Sequence, residues 1–315
     1  MSDWIDGLPP AAHERIARQR ASSTSGSLLS APAAAALRSS GLAPVGEVFG
    51  CLVMQLGWTM GGCGAYGSRG FGTGGFGMLG GGYTTPVTTS GGSSGKYGGF
   101  GPYVKAFEKA WYGAVDRMLT EARALGAEGV VGVQVTRKRM ENSTWEFTAI
   151  GTAVRSVDTA LMPRPSRSGE VWYAGLSAED CAAAILSGLV PRGLVLGISV
   201  ATKHEDYQLK MQRNSWSNTE VDGLTLLLQA ARKDARAQLA ARASRVGGSD
   251  LVISHSFVGE FETPCGEEKD LHAEAIFVGT VLGPGPMADF RTHKRPGTAA
   301  VMTVMPLTDP PSRRR

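Results

Sequence analysis

Leu29–Val53 (LSAPAAAALRSSGLAPVGEVFGCLV) can be laid over Leu176–Val200 (LSAEDCAAAILSGLVPRGLVLGISV) without a gap, and about half of the paired positions are identical. The identities fall where backbone conformation is decided. Ser40-Gly41-Leu42 pairs with Ser187-Gly188-Leu189, and Pro44, Gly46 and Gly50 pair with Pro191, Gly193 and Gly197. Turns and close approaches dictate where glycine and proline stand, so shared positions report a shared fold. The chain is therefore expected to be a tandem duplication. Its 315 residues agree, because that length suits about two domains.

Each copy should run short helix, strand, long helix, strand, strand. Ser177 and Asp180 have capping-box spacing at the start of a short Ala-rich helix. Pro44–Trp58 and Pro191–His204 are apolar and β-branched stretches punctuated by glycine, as strands are. Val104, Phe107, Trp111, Ala114, Met118 and Ala122 recur at three- and four-residue steps, one apolar face of a long helix. Leu224, Leu227, Leu228, Ala231, Ala235 and Leu239 do the same in copy two, with Ser217 and Glu220 spaced to cap the start. Gly126 and Gly247 are placed to stop the two helices. Gly129–Arg139 and Thr144–Arg155 then form a hairpin around residues 141–143, and Asp250–Phe261 with Asp270–Leu282 form another around a longer loop.

The expected fold class is α+β: two domains, each a three-stranded antiparallel sheet under one long helix, with a short helix in front. The expected boundaries are an N-terminal tail 1–28, copy one 29–157, a linker 158–175, copy two 176–284 and a basic C-terminal tail 285–315. Copy one carries an insert, 59–101, rich in glycine with Tyr66, Phe71, Phe76, Tyr83, Tyr97 and Phe100 spread through it. Such a composition buries too little apolar surface to offset its ordering entropy, so the insert is expected to be flexible and dispensable for folding.

Composition narrows the partners. The net charge is only +4, and much of it sits in Arg291, Lys294, Arg295 and Arg313–Arg315, which does not make a nucleic-acid-binding face. No run approaches the roughly 20 apolar residues of a membrane span, and the first residues lack a signal-peptide core. A cytoplasmic location is expected. Cys51, Cys63, Cys181 and Cys265 are scattered, with neither a disulfide framework nor a zinc-finger pattern.

Glu121–Val133 (EARALGAEGVVGV), followed by Thr148–Val154 (TAIGTAV), resembles the YbjQ-like family, whose label is heavy-metal binding. Pro44–Gly50 (PVGEVFG) is similar to the opening strand of its longer members. In copy two, Val246–Ile253 and Phe277–Val281 keep the outline. The resemblance implies a dodecin-like β-α-β-β subunit that closes into a ring, typically a pentamer. It implies no reaction, and the label brings no agreed ligand residues.

Motifs for nucleotide or hydrolytic chemistry fail on inspection. Gly70-x-Gly72-x-x-Gly75 lies in a glycine tract with no helix after it, and Gly91–Tyr97 is one residue short of a phosphate loop. Copy one holds no histidine. His204 sits at a strand end beside Glu205 and Asp206, where it reads as solvated. The residues expected to hold a metal are His255, Cys265, His272 and Glu274, all on the second hairpin. Imidazole, thiolate and carboxylate together suit zinc or a similar divalent ion. The expected function is a non-enzymatic, ring-forming homo-oligomer that binds such a metal. The alternative is a scaffold whose glycine-aromatic insert contacts protein partners without metal.

Overall fold

The computed structural model describes residues 4, 6–22, 28–57, 85, 87–90, 100–141, 143–157, 170–265 and 267–285. In chain order they form α1 (Pro10–Ala21), α2 (Ala31–Ser39), β1 (Leu42–Gln55), β2 (Thr88–Thr89), α3 (Gly101–Ala124), β3 (Gly129–Arg139), β4 (Thr144–Ser156) and β5 (Trp172–Tyr173). There follow α4 (Ala178–Leu186), β6 (Leu189–His204), α5 (Tyr207–Arg213), α6 (Asp222–Arg245), β7 (Asp250–Cys265) and β8 (Glu268–Pro284). The strands make two four-stranded sheets, ordered β1-β4-β3-β5 and β2-β6-β8-β7. This is a mixed α+β architecture. Among the described residues no helix is long and apolar enough to cross a membrane.

Local chemistry places the elements. Ser177 Oγ accepts the Asp180 N–H at 3.0 Å and donates to its carboxylate at 2.8 Å, opening α4. Ser30 caps α2 in the same way, accepting from Ala33. Gly126 and Gly247, at φ of 69° and 75°, take the left-handed step that ends α3 and α6. α6, by contrast, begins at Asp222 behind Val221 with no side-chain cap. Glu220 instead accepts from the Thr225 hydroxyl. Between β6 and α6 lies α5, capped by Asp206, whose carboxylate accepts the Leu209 N–H at 2.8 Å.

The two halves share a pattern of irregularity. β1 pairs antiparallel with β4 and β6 with β8, each with a register shift between proline and glycine: Pro44/Gly46 in one, Pro191/Gly193 in the other. The helices α2 and α4 meet through Leu37, Ala33, Cys181 and Ile185 in one apolar cluster.

Stacking is what links the halves. α3 packs on the inner face of the first sheet through Phe107, Ala114 and Met118, and the same cluster continues into Leu194, Leu196, Ile198 and Val200 of β6 and Ile276 and Val278 of β8. The alternate residues of those strands, Val195, Ala201, Ala275 and Phe277, pack with Leu227, Ala231 and Leu239 of α6. The order of layers is therefore sheet, α3, sheet, α6, and the second sheet is covered on both faces.

Segments expected to be tails and linkers contribute to this. α1 lies in the expected N-terminal tail and buries Ala12 and Ile16. β5 lies in the expected linker and pairs parallel with β3. The end of the glycine-rich insert pairs too: Thr88 and Thr89 add to β6 opposite Thr202 and Ala201. Thr85 donates its N–H to Asp206 and its hydroxyl to the His204 carbonyl. Deleting 59–101 would strip this cover from β6, so only part of the insert is open to removal. Residues 58–84 and 91–99, with Cys63 and both glycine motifs, lie outside the described residues, as does 286–315 with His293.

Candidate metal centre

The four residues singled out in the sequence do not come together. β7 and β8 run farther than expected, so Cys265 pairs with Glu268, Phe261 with His272 and Gly259 with Glu274. The longer loop would have set His255 against position 274 or 275. Counted back from Cys265 opposite Glu268, this pairing puts His255 opposite Val278. There it is exposed, on the wall of a cavity of about 310 Å³ between β3 and β7.

His272 and Glu274 are buried, at 2% and 5% exposure, and each is already engaged. The Thr202 and Thr263 hydroxyls lie 2.9 and 2.8 Å from the two ring nitrogens of His272, and Phe100 and Phe261 pack on the ring. A hydroxyl can donate or accept, so this pocket satisfies a neutral imidazole. Glu274 accepts from the Tyr103 hydroxyl of α3 at 2.7 Å and pairs with both terminal nitrogens of Arg137 from β3. It joins the two halves rather than facing solvent.

Burial pushes His272 down to about 4, against a weaker upward pull from Asp270. Its unfolded value is about 6.5. The folded value is the lower one, so this stabilisation is complete above pH 6.5 and is lost as pH falls towards 4. It amounts to about 3 kcal/mol. Urea unfolding at pH 7 and pH 4.5 should show wild type losing more stability than His272→Gln. Equal losses would mean that another group carries the acid sensitivity.

A different trio converges. His204 ends β6, Asp270 lies opposite it on β8, and Cys265 ends β7. One ligand atom from each, all three mutually, lies within 4.8 Å. Tetrahedral zinc holds its ligands about 3.5 Å apart, so small side-chain rotations would close the set. Cys265 and Asp270 are each 5% exposed and His204 is half-buried. His204 Nδ1 lies 2.7 Å from Asp270 Oδ1, and Nε2 lies 2.6 Å from Glu268 Oε2. Burial opposes charge on this ring, but the hydrogen bonds and charges of Asp270 and Glu268 outweigh it and raise the imidazole above its ordinary value. The group offers nitrogen, sulfur and oxygen donors, a set that suits a borderline divalent ion.

Nothing local in the sequence marks His204, because its neighbours are acidic and its partners lie more than 60 positions away. The first sheet held the missing signal. β1 pairs with β4 to its last residue, Gln55 against Thr144. Carried to the second half, the same pairing brings the end of β6 to the start of β8.

The structure defines a two-sheet α+β protein with a nitrogen, sulfur and oxygen cluster where three strands end. Within it, residues 91–157, which are α3, β3 and β4 with their flanks, match a family described as "Putative heavy-metal-binding". An "Encapsulin nanocompartment protein" of Mycobacterium tuberculosis is 30% identical over 164 residues, covering 51% of this chain and 62% of that protein. A "UPF0145 protein" of Halorubrum lacusprofundi is 52% identical over 42 residues, 13% of this chain and 40% of the relative. One of Psychrobacter arcticus is 34% identical over 61 residues, 19% of this chain and 39% of the relative. The matches span about three-fifths or less of each relative. The stretch 91–157 contains neither histidine nor cysteine, so the family label and the cluster fall on different halves of the chain.

Proposed function

We propose that this chain is a non-enzymatic, self-associating protein of two tandem dodecin-like domains that binds a divalent metal such as zinc through His204, Cys265 and Asp270. The convergence of those three donors carries the metal assignment. The description of the family matched at 91–157 supports it more weakly, because that stretch lacks soft ligands. The duplication is supported by the aligned glycines and prolines and by the matching bulges of β1 and β6. Self-association is supported by the name of the encapsulin relative and by β7, an edge strand that leaves much of its length exposed. Edge strands of this kind call for cover, and a second chain can supply it. A ring of five is the arrangement that the family resemblance favours.

Native mass spectrometry of the full chain should show several copies per particle and retained zinc. His204→Ala and Cys265→Ser should each weaken zinc binding by at least about tenfold, since each removes one of three donors. His255→Ala should leave binding unchanged. Wild type that holds no zinc, or variants that hold it as tightly, would overturn the metal assignment. A clean monomer at micromolar concentration would overturn self-association.

A further inference from the structure

We infer that Glu268 is a positioning residue of this centre, holding His204 in the tautomer that presents Nδ1 to the metal; the inference rests on the metal reading above. The two nitrogens of an imidazole point away from each other, so one ion takes one of them. Asp270 stands on the Nδ1 side at 2.7 Å and Glu268 on the Nε2 side at 2.6 Å. Asp270 belongs to the group whose donor atoms lie mutually within 4.8 Å, and Glu268 does not. An ion would therefore be held on the Nδ1 side, with Asp270 and Cys265. On the other side, Glu268 accepts the Nε2–H. A carboxylate on the far nitrogen fixes the ring's orientation and makes the metal-bound nitrogen more basic.

Exposure separates the two acidic residues in the same way. The Asp270 side chain is 7% exposed, inside the sheet end, while Glu268 is 52% exposed on the rim of the turn. Strand pairing holds the arrangement, with Glu268 opposite Cys265 and Asp270 opposite His204.

The test uses the full chain with zinc and cobalt. Glu268→Ala should lower zinc affinity about 10- to 100-fold in chelator competition. Glu268→Gln keeps a carbonyl that accepts the Nε2–H, and should bind within a few-fold of wild type. At saturating cobalt all three proteins should show the same visible and thiolate-to-cobalt bands, because the ligands are unchanged. The inference is overturned if Glu268→Ala binds as tightly as wild type, if Glu268→Gln is as weak as Glu268→Ala, or if either variant has altered cobalt bands. Altered bands would make Glu268 a ligand. Wild type that binds neither ion fails the parent reading instead, and that result is distinct from all three.

Discussion

Replacing Gly197 with alanine is expected to destabilise the protein by at least about 3 kcal/mol, at or beyond the upper range of ordinary overpacking. A Cβ at this position would stand 2.1 Å from the carbonyl oxygen of Ala235 and 2.9 Å from Leu239 Cβ. The first contact is helix backbone, which cannot rotate aside as a side chain would. α6 would have to lift off β6, opening the interior that Leu227, Ala231 and Leu239 fill. Gly50 occupies the matching place in the first half, where its Cβ would stand 2.0 Å from the Ala114 carbonyl oxygen and 2.5 Å from the Met118 nitrogen. Gly50→Ala should be as damaging. Gly57, with nothing within 4 Å of its Cβ position, serves as the control, and alanine there should be neutral or mildly stabilising. Urea unfolding of the three variants measures this. A Gly197→Ala protein within about 1 kcal/mol of wild type would mean that helix and strand are not in such close contact.

The second large effect concerns Arg137 and Glu274. Arg137 spans the halves, forming a bidentate pair with Glu274 while lying over the rings of Phe107, Trp145 and Phe257. Burial alone would lower its basicity, but Glu274 outweighs that and holds it above the ordinary arginine value. Arg137→Met would leave the Glu274 carboxylate buried beside the Tyr103 hydroxyl without its cation, at a cost of about 3–5 kcal/mol. Removing the whole polar group, as Tyr103→Phe/Arg137→Met/Glu274→Leu, should recover most of that loss, because no uncompensated charge remains. Chemical unfolding of the single and triple variants decides it. A triple variant worse than Arg137→Met would show that the pair stabilises the fold in its own right.

Much of the fold was legible because its signals are local. The stripes from Val104 to Ala122 and from Leu224 to Leu239, the stops at Gly126 and Gly247, and the Ser177 cap all became the elements they suggested. The β3–β4 hairpin closing the first half also formed, with Arg139 opposite Trp145. What escaped depends on tertiary partners. α1 is polar on most faces and is held by Ala12 and Ile16 entering the core. β2 is two residues long and exists because β6 offers it an edge. The candidate site suffered most, since a hairpin register that moves by a few positions changes which side chains share a face. Pairing Cys265 with Glu268 sent Glu274 to Arg137 and left Cys265 beside His204, a residue from a third strand.

The double coverage of the second sheet has a consequence for how the chain is made. The first sheet's three long strands are complete once Ser156 has been synthesised, and α3 can settle on that sheet at once. On its other flank, the contacts of Tyr103 with Glu274 and of Tyr112 with the Leu196 N–H form only when β8 and β6 exist, and β8 ends at Pro284. During translation the first half therefore waits with an apolar helix face open to water. A release from the ribosome before residue 284, or a stop in the linker, would leave that face for chaperones or for another nascent chain to find.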